Sequence, residues 1–191
     1  IIMADTNKLT FLGIKGDPIT AYAKNGMVLS FASLTTGVSN VAVGITALDA
    51  VTSGSYNVAV GYDALTSNTT ACCNTALGYS SLQSNETGHL NTASGHGSLQ
   101  ANTSGDNNTG LGYNAGLAIT TGSQNVCIGS EANVSSATAN NENVFGYGAT
   151  GQGNNTVTLG NSSVTDVYMG ENADASVHCG DIAASGDVTI T

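Results

Sequence analysis

From residue 37 to 138 the apolar positions recur in a fixed polar frame. Asn40, Asn57, Asn74, Asn91, Asn108 and Asn125 stand 17 residues apart, and so do Gly44, Gly61, Gly78, Gly95, Gly112 and Gly129. A third column reads Gly37, Gly54, Ala71, Gly88, Gly105, Gly122. The unit is Gly-x-x-Asn, a triplet, Gly, then x-x-Ala-Leu and a Ser/Thr/Asn-rich turn. Self-similarity at a fixed period is the signature of a stacked-repeat architecture, so the expected fold is all-β, a parallel β-roll or β-solenoid with 17-residue coils. Helix is disfavoured because no 3.6-residue period is sustained and Gly and β-branched residues are frequent.

Within the triplet the first position is β-branched (Val41, Val58, Thr75, Thr92, Thr109, Val126) and the third is mostly apolar (Val43, Val60, Leu77, Ser94, Leu111, Ile128). Alternate strand residues share a face, so these two positions are expected to look one way and Ala42, Ala59, Ala76, Ala93, Gly110 and Cys127 the other. The simplest packing puts Val and Leu inside and leaves the small column outside, free for another chain. A second short strand is expected to end in Leu48, Leu65, Leu82 and Leu99, a column broken by Gly116 and Asn133. The Asn column predicts an amide ladder. Glycine after the triplet permits the bend between strands.

Six coils at ~4.8 Å per strand make a rod of about 29 Å with a thin core, so association into a symmetric ring of identical chains is expected. A different period follows residue 153: Val157-Thr158-Leu159-Gly160, Val167-Tyr168-Met169-Gly170 and Val177-His178-Cys179-Gly180 are spaced by ten. Ten residues supply about one strand, so several chains must complete each layer. The expected organisation is therefore an irregular N-terminal β segment (1–36), six solenoid repeats (37–138), a transition coil (139–153) and an interwoven trimeric β-shaft with 10-residue repeats (154–191). In that shaft Val157, Leu159, Val167, Met169, Val177 and Cys179 would face the axis. In the first segment Leu9–Ile14 and Met27–Phe31 read as strands, with Gly16-Asp17-Pro18 as a turn. The opening Ile1-Ile2-Met3, rather than a leading Met, leads to the expectation of a fragment, a processed product or a tagged start.

Charge narrows the partners. Thirteen acids face three Lys/Arg, giving a net charge of −10, and all three basic residues (Lys8, Lys15, Lys24) precede residue 25. Binding a phosphate backbone needs clustered cations, so nucleic acid is excluded, and no apolar run reaches the length of a membrane span.

The Asn-Val-Ala-Val-Gly-Tyr-x-Ala-Leu unit of residues 57–65 resembles the head repeats of trimeric autotransporter adhesins. The 17-residue version is similar to repeats of phage and large-virus tail-fibre or spike proteins, many of which end in an endosialidase-type intramolecular chaperone domain. The segment from Val157 to Thr191 is similar to what precedes that domain. The resemblance implies a homotrimeric fibre segment, on a virion surface or otherwise extracellular, that binds a host-surface glycan or protein receptor and other virion or fibre proteins. A cellular trimeric adhesin, an ice-binding solenoid and a tail-spike glycan hydrolase are the alternatives.

Candidate chemistry is sparse. Glycoside hydrolysis needs two carboxyl groups about 5–9.5 Å apart, whereas Asp63 and Glu131 share a column four coils apart, and Asp49, Glu86 and Asp106 fall in different columns. No catalytic, cofactor or metal site is therefore assigned. His89, His96 and His178 are too few for a metal within one chain, although threefold symmetry would gather three copies of His178. Cys72 and Cys73 are vicinal in a turn, where they could link chains, while Cys127 and Cys179 read as packed small residues. Tyr62, Tyr79, Tyr113 and Tyr147 form an exposed column, suited either to stacking on sugar rings or to packing between chains. Seven Asn-x-Ser/Thr sequons occur, of which Asn68, Asn85 and Asn102 are one repeat apart.

Overall fold

The computed structural model describes residues 37–167 and, before them, the pairing of four short strands; β1 (Ala4–Asp5) pairs with β2 (Lys8–Leu9) and β3 (Thr20–Tyr22) with β4 (Val28–Ser30), both antiparallel. Val28–Ser30 lies within the expected strand 27–31, and Leu9 is the described part of 9–14; the Gly16-Asp17-Pro18 turn lies outside the described residues.

Eight strands follow in one sheet: β5 (Val41–Val43), β6 (Val58–Val60), β7 (Thr75–Leu77), β8 (Thr92–Ser94), β9 (Thr109–Leu111), β10 (Val126–Ile128), β11 (Glu142–Phe145) and β12 (Thr156–Leu159). Each pairs in parallel with the next, in sequence order. The register is one coil per strand, Val41 against Val58 and Val58 against Thr75. The fold is thus a β-solenoid of about seven turns, all-β, and no described residue is helical. The sheet does not stop at residue 153: Glu142 pairs with Thr156, a step of 14 rather than 17, so β12 belongs to the same sheet.

The faces of the triplet are the reverse of the sequence expectation. Ala59, Ala76, Ala93 and Cys127 are fully buried, whereas Val41, Val58, Leu77, Leu111 and Ile128 are exposed. The reason is the width of the lumen. A Cβ added to Gly110 would lie 2.5 Å from Ser98 Oγ and 2.9 Å from Leu99 Cγ, so this coil has no room even for a methyl group. Val or Leu on that side would overpack every coil.

The second strand is also absent. In its place Gly61 takes φ +141, where a Cβ would run into the Gly78 carbonyl, and Asp63 and Leu65 follow at φ +55 and +52. Leu48, Leu82 and Leu99 share that left-handed conformation. Axial hydrogen bonds survive without strand dihedrals, since Leu65 N donates to Ser81 O and Leu82 N to Ser98 O, each at 3.1 Å. A left-handed non-glycine residue costs about 1–2 kcal/mol, and burying a Leu side chain gains about 1.5–3 kcal/mol. These leucines are all but fully buried, so burial outweighs the strain.

Two Asn ladders line the interior. In the first, Asn74 Nδ2 donates to Gly88 O (2.9 Å) and Asn74 Oδ1 accepts the N–H of Asn91 (2.9 Å), a pattern repeated at Asn57, Asn91 and Asn108. The ladder is therefore mainly side chain to backbone, and amide-to-amide only where Asn125 Nδ2 meets Asn108 Oδ1 at 3.0 Å. The second consists of Asn68, Asn85 and Asn102, whose amides do bond one another (3.3 and 2.8 Å) and which are fully buried. Ile119 takes the next place in that column, and Asn102 Oδ1 is left without a partner.

Candidate functional site

The outer surface carries what chemistry there is, and three columns define it. The first is aromatic. Rings stack along the rod from Tyr62 to Tyr79 (centroids 5.3 Å, 9° between planes), Tyr79 to His96 (4.8 Å, 12°) and His96 to Tyr113 (5.3 Å, 32°). Each ring follows a Gly of the bend column and so projects at the same corner of successive coils. Such contacts contribute about 0.5–1.5 kcal/mol each beyond the area they bury. The rings of Tyr79 and His96 have a neighbour on both faces, which leaves only their edges to solvent. A sugar ring cannot stack on them, so of the two uses open to this column Tyr79 takes that of packing, here against rings of its own chain.

The second column is a line of unlike side chains with one shared task, to accept a backbone N–H from the preceding coil. Ser55 Oγ accepts from Val38, His89 Nδ1 from Cys72 (3.1 Å), Asp106 Oδ1 from His89 (2.7 Å), Ser123 Oγ from Asp106 and Asn140 Oδ1 from Ser123 (3.0 Å each, with 3.0 Å at Val38). Cys72, His89 and Asp106 thus stand in line, with Cys72 Sγ 3.3 Å from His89 Nδ1. The order resembles a nucleophile, base and acid, but its wiring differs. Asp106 holds the backbone of His89, and the single lone pair of Nδ1 already faces the Cys72 N–H. The Cys72 thiol is moreover held above its ordinary pKa, first by a hydrogen bond with the Cys73 side chain, then by desolvation and by the Cys73 charge. A protonated thiol is a poor nucleophile. Sequence reading did not connect Cys72 with His89, although their spacing of 17 is the signal that would have done so.

The third is the outward strand face itself. Val41, Val58, Leu77, Leu111 and Ile128 continue into Val157 and Leu159 at the far end, all exposed.

The acids do not converge. Asp63 accepts from Gln83 Nε2 at 3.2 Å and from Thr46 Oγ1, and Glu131 is exposed four coils away, on the order of 19 Å. Asp49 and Glu86 are exposed turn residues. Glu142, which carried no expectation, is the one carboxylate fully buried among the described residues. It occupies the Asn column, its N–H bonding Asn125 Oδ1 (2.9 Å), while its carboxylate takes the Ser135 N–H (2.9 Å) and hydroxyl. It closes the ladder where an Asn would otherwise stand. Burial, reinforced by the Glu142 charge, pushes the Cys127 thiol up to about 12.

Asn68, Asn85 and Asn102, expected as sequons in turns, point into the core and hold the second ladder. Thr69, Thr103 and Thr120 hydroxyls donate to carbonyls of the next coil at 3.1–3.3 Å. Among the described residues no three His, Cys, Asp or Glu side chains come together as metal ligands. Tyr168, Met169, His178 and Cys179 lie outside the described residues. A cleft of about 430 Å³ at the β12 end is lined by Gly148, Thr150, Gln152, Thr158, Gly160, Asn161 and Ser162, none of which supplies an acid or a base.

Compared with protein-family models, with curated proteins and with solved structures, the chain finds no match.

Proposed function

We propose that the chain is a structural segment of a host-attachment appendage, a viral or phage tail fibre or spike, that works as a homotrimer and binds a host-surface glycan or protein receptor without turnover. The observation that carries this reading is the outward strand face. Seven Val, Leu and Ile side chains, 36 to 65% exposed, run along a sheet whose own core is filled by Ala. Isolated exposed apolar residues are ordinary, but a row of them gathered on one face marks a surface that another molecule covers. The strip runs along one face of a thin rod, interrupted at β8 by Thr92 and Ser94, which suits parallel copies meeting around a common axis. Such an arrangement replaces the expected contact through the Ala column, which is inside. Continuation of the same face through Val157 and Leu159 suits a shaft in which three chains bury one stripe each, as proposed for residues 154–191.

Light scattering measures this directly. The wild type is expected at three times its 19.0 kDa chain mass. Leu77→Asp with Leu111→Asp would place six carboxylates in the interface of a trimer and is expected to give monomers, while Thr69→Asp, in a turn, leaves the mass unchanged. A wild type that is monomeric at micromolar concentration would show the reading to be wrong.

A further inference from the structure

The aromatic ladder has a missing rung. Tyr62, Tyr79, His96 and Tyr113 fill four successive coils, the fifth position is Ser130, and Tyr147 resumes the column in the sixth. The backbone does not slip across the gap. Glu131 N donates to Tyr113 O at 2.7 Å and Gly148 N to Ser130 O at 2.9 Å, the same bonds that tie Ser80 to Tyr62 and Gly97 to Tyr79. Ser130 therefore stands between Tyr113 and Tyr147 as Tyr79 stands between Tyr62 and His96, with a hydroxymethyl group in place of a ring. Two coil steps span about 10 Å. The ladder itself shows that this interval admits one six-membered ring, since Tyr79 lies 5.3 and 4.8 Å from its two neighbours. Tyr147 is 69% exposed, and among the described residues neither it nor the Ser130-side face of Tyr113 has a ring against it.

We propose that this interval is a binding slot for one neutral pyranose ring of a glycan, a proposal that rests on the attachment reading above. The C–H faces of a pyranose are apolar and its rim carries hydroxyls, which is the pattern the slot presents in reverse. Tyr113 and Tyr147 form two aromatic walls, half-buried Ser130 lies at the base, and half-buried Asn114 and exposed Glu131 flank it one residue further along the chain. A purely aromatic guest would meet the Ser130 hydroxyl and the Glu131 carboxylate with nothing to bond them. A sialic or uronic acid would bring a carboxylate to a surface with no Lys or Arg between residues 25 and 191. Neutral hexoses and N-acetylhexosamines remain. One such slot per chain gives weak single-site binding, and three slots on one assembly convert it to avidity.

The test is titration of the intact chain, followed by NMR, with methyl glycosides of glucose, galactose, mannose and N-acetylglucosamine, with methyl sialoside and p-cresol as controls. The expected result is millimolar binding of at least one neutral glycoside and none of the sialoside. Ser130→Tyr, which completes the ladder with the chain's own ring, and Tyr147→Ala are each expected to weaken that binding more than tenfold. Tyr62→Ala, at the other end of the ladder, should leave it unchanged. Thermal melting of each variant checks that it is folded. A wild type that binds no neutral glycoside overturns the slot, as does binding that survives Ser130→Tyr or is matched by p-cresol. If Ser130→Tyr adheres to host cells as the wild type does, the slot fails while attachment stands. A monomeric chain with no adhesion to any cell is instead the failure of the attachment reading.

Discussion

Leu99 occupies the space that a side chain at Gly116 would need. A Cβ there would lie 2.6 Å from Leu99 Cδ2 and 3.3 Å from Ile119 Cδ1. The break in the Leu column is thus a repacking: Gly116 keeps the left-handed turn at φ +68, and Leu99 and Ile119 fill what is missing.

Restoring the column should therefore do harm. Gly116→Leu is expected to destabilise by about 1–3 kcal/mol through overpacking, despite matching Leu48, Leu65, Leu82 and Leu99. Leu99→Ala, which empties the region beside both Gly110 and Gly116, should lose about 2–5 kcal/mol. Urea unfolding of the two single variants and of the pair gives the check. The double variant should be more stable than the sum of the two losses implies, because shortening the side chain of Leu99 makes room for the one added at Gly116.

Leu90 offers a gain. It is 55% exposed at φ +59, in a column where later coils place Asn107, Asn141 and Asn155 in the same conformation. Exposed, it has little burial to set against the strain. Leu90→Asn should raise stability by about 1 kcal/mol, seen as a higher melting temperature.

Asn91 is held on both sides. Its Nδ2 donates to Gly105 O (2.8 Å) and its Oδ1 accepts from Asn108 N (2.9 Å), in a fully buried setting. Asn91→Ala strands the Asn108 N–H, at about 1–3 kcal/mol, while Gly105 O keeps the bond from Asn102 Nδ2 (3.0 Å). Hydrogen exchange should show the Asn108 amide losing protection before its neighbours.

Alkaline pH should act through Cys127. Its folded pKa, about 12, lies above the ordinary 9.0, so its contribution is complete below pH 9 and declines as pH rises toward 12. In that window the native state holds a proton that the unfolded chain has lost, and stability falls by up to about 1.4 kcal/mol per pH unit. Cys127→Ala should flatten the decline relative to wild type in denaturant titrations between the ordinary thiol pKa of 9.0 and the folded value of about 12. At neutral pH a thiol reagent should label Cys73, which is exposed, and leave Cys127 untouched until unfolding.

The period, the strand order and the parallel register were all legible in the sequence, because identical residues at a spacing of 17 can only align if the coils stack in phase. Which face of Val-Ala-Val points inward was not. Alternation fixes that two faces differ, and β-propensity favours Val inside, but the deciding quantity is lumen width, which depends on how sharply Gly61 and Asp63 turn the chain. The left-handed leucines were hidden for the same reason, since nothing in an Ala-Leu pair announces a positive φ. Burial of Asn68, Asn85 and Asn102 was readable in principle, since they share the spacing of the first Asn ladder. The sequon pattern drew attention to their turns instead. Of the surface columns, the sequence showed the tyrosines, but not that the rings close on one another through His96. The Cys72–His89 contact needed the coil register to be seen.

Because each coil bonds only to the coil before and the coil after it, the rod behaves as a string of exchangeable modules. The boundary from Asn57 to Asn74 is matched by that from Asn74 to Asn91, so a whole 17-residue unit there could be duplicated or excised in frame, changing reach by ~4.8 Å with both cut faces still complementary. Leu99 opposes the same event further along. It spans its own coil and the next, and removal of the coil bearing Gly110 and Gly116 would leave it facing Cys127 and Asn133. Unequal recombination can therefore tune the length of this rod in its first half, whereas loss of the coil that follows Leu99 would disturb its packing.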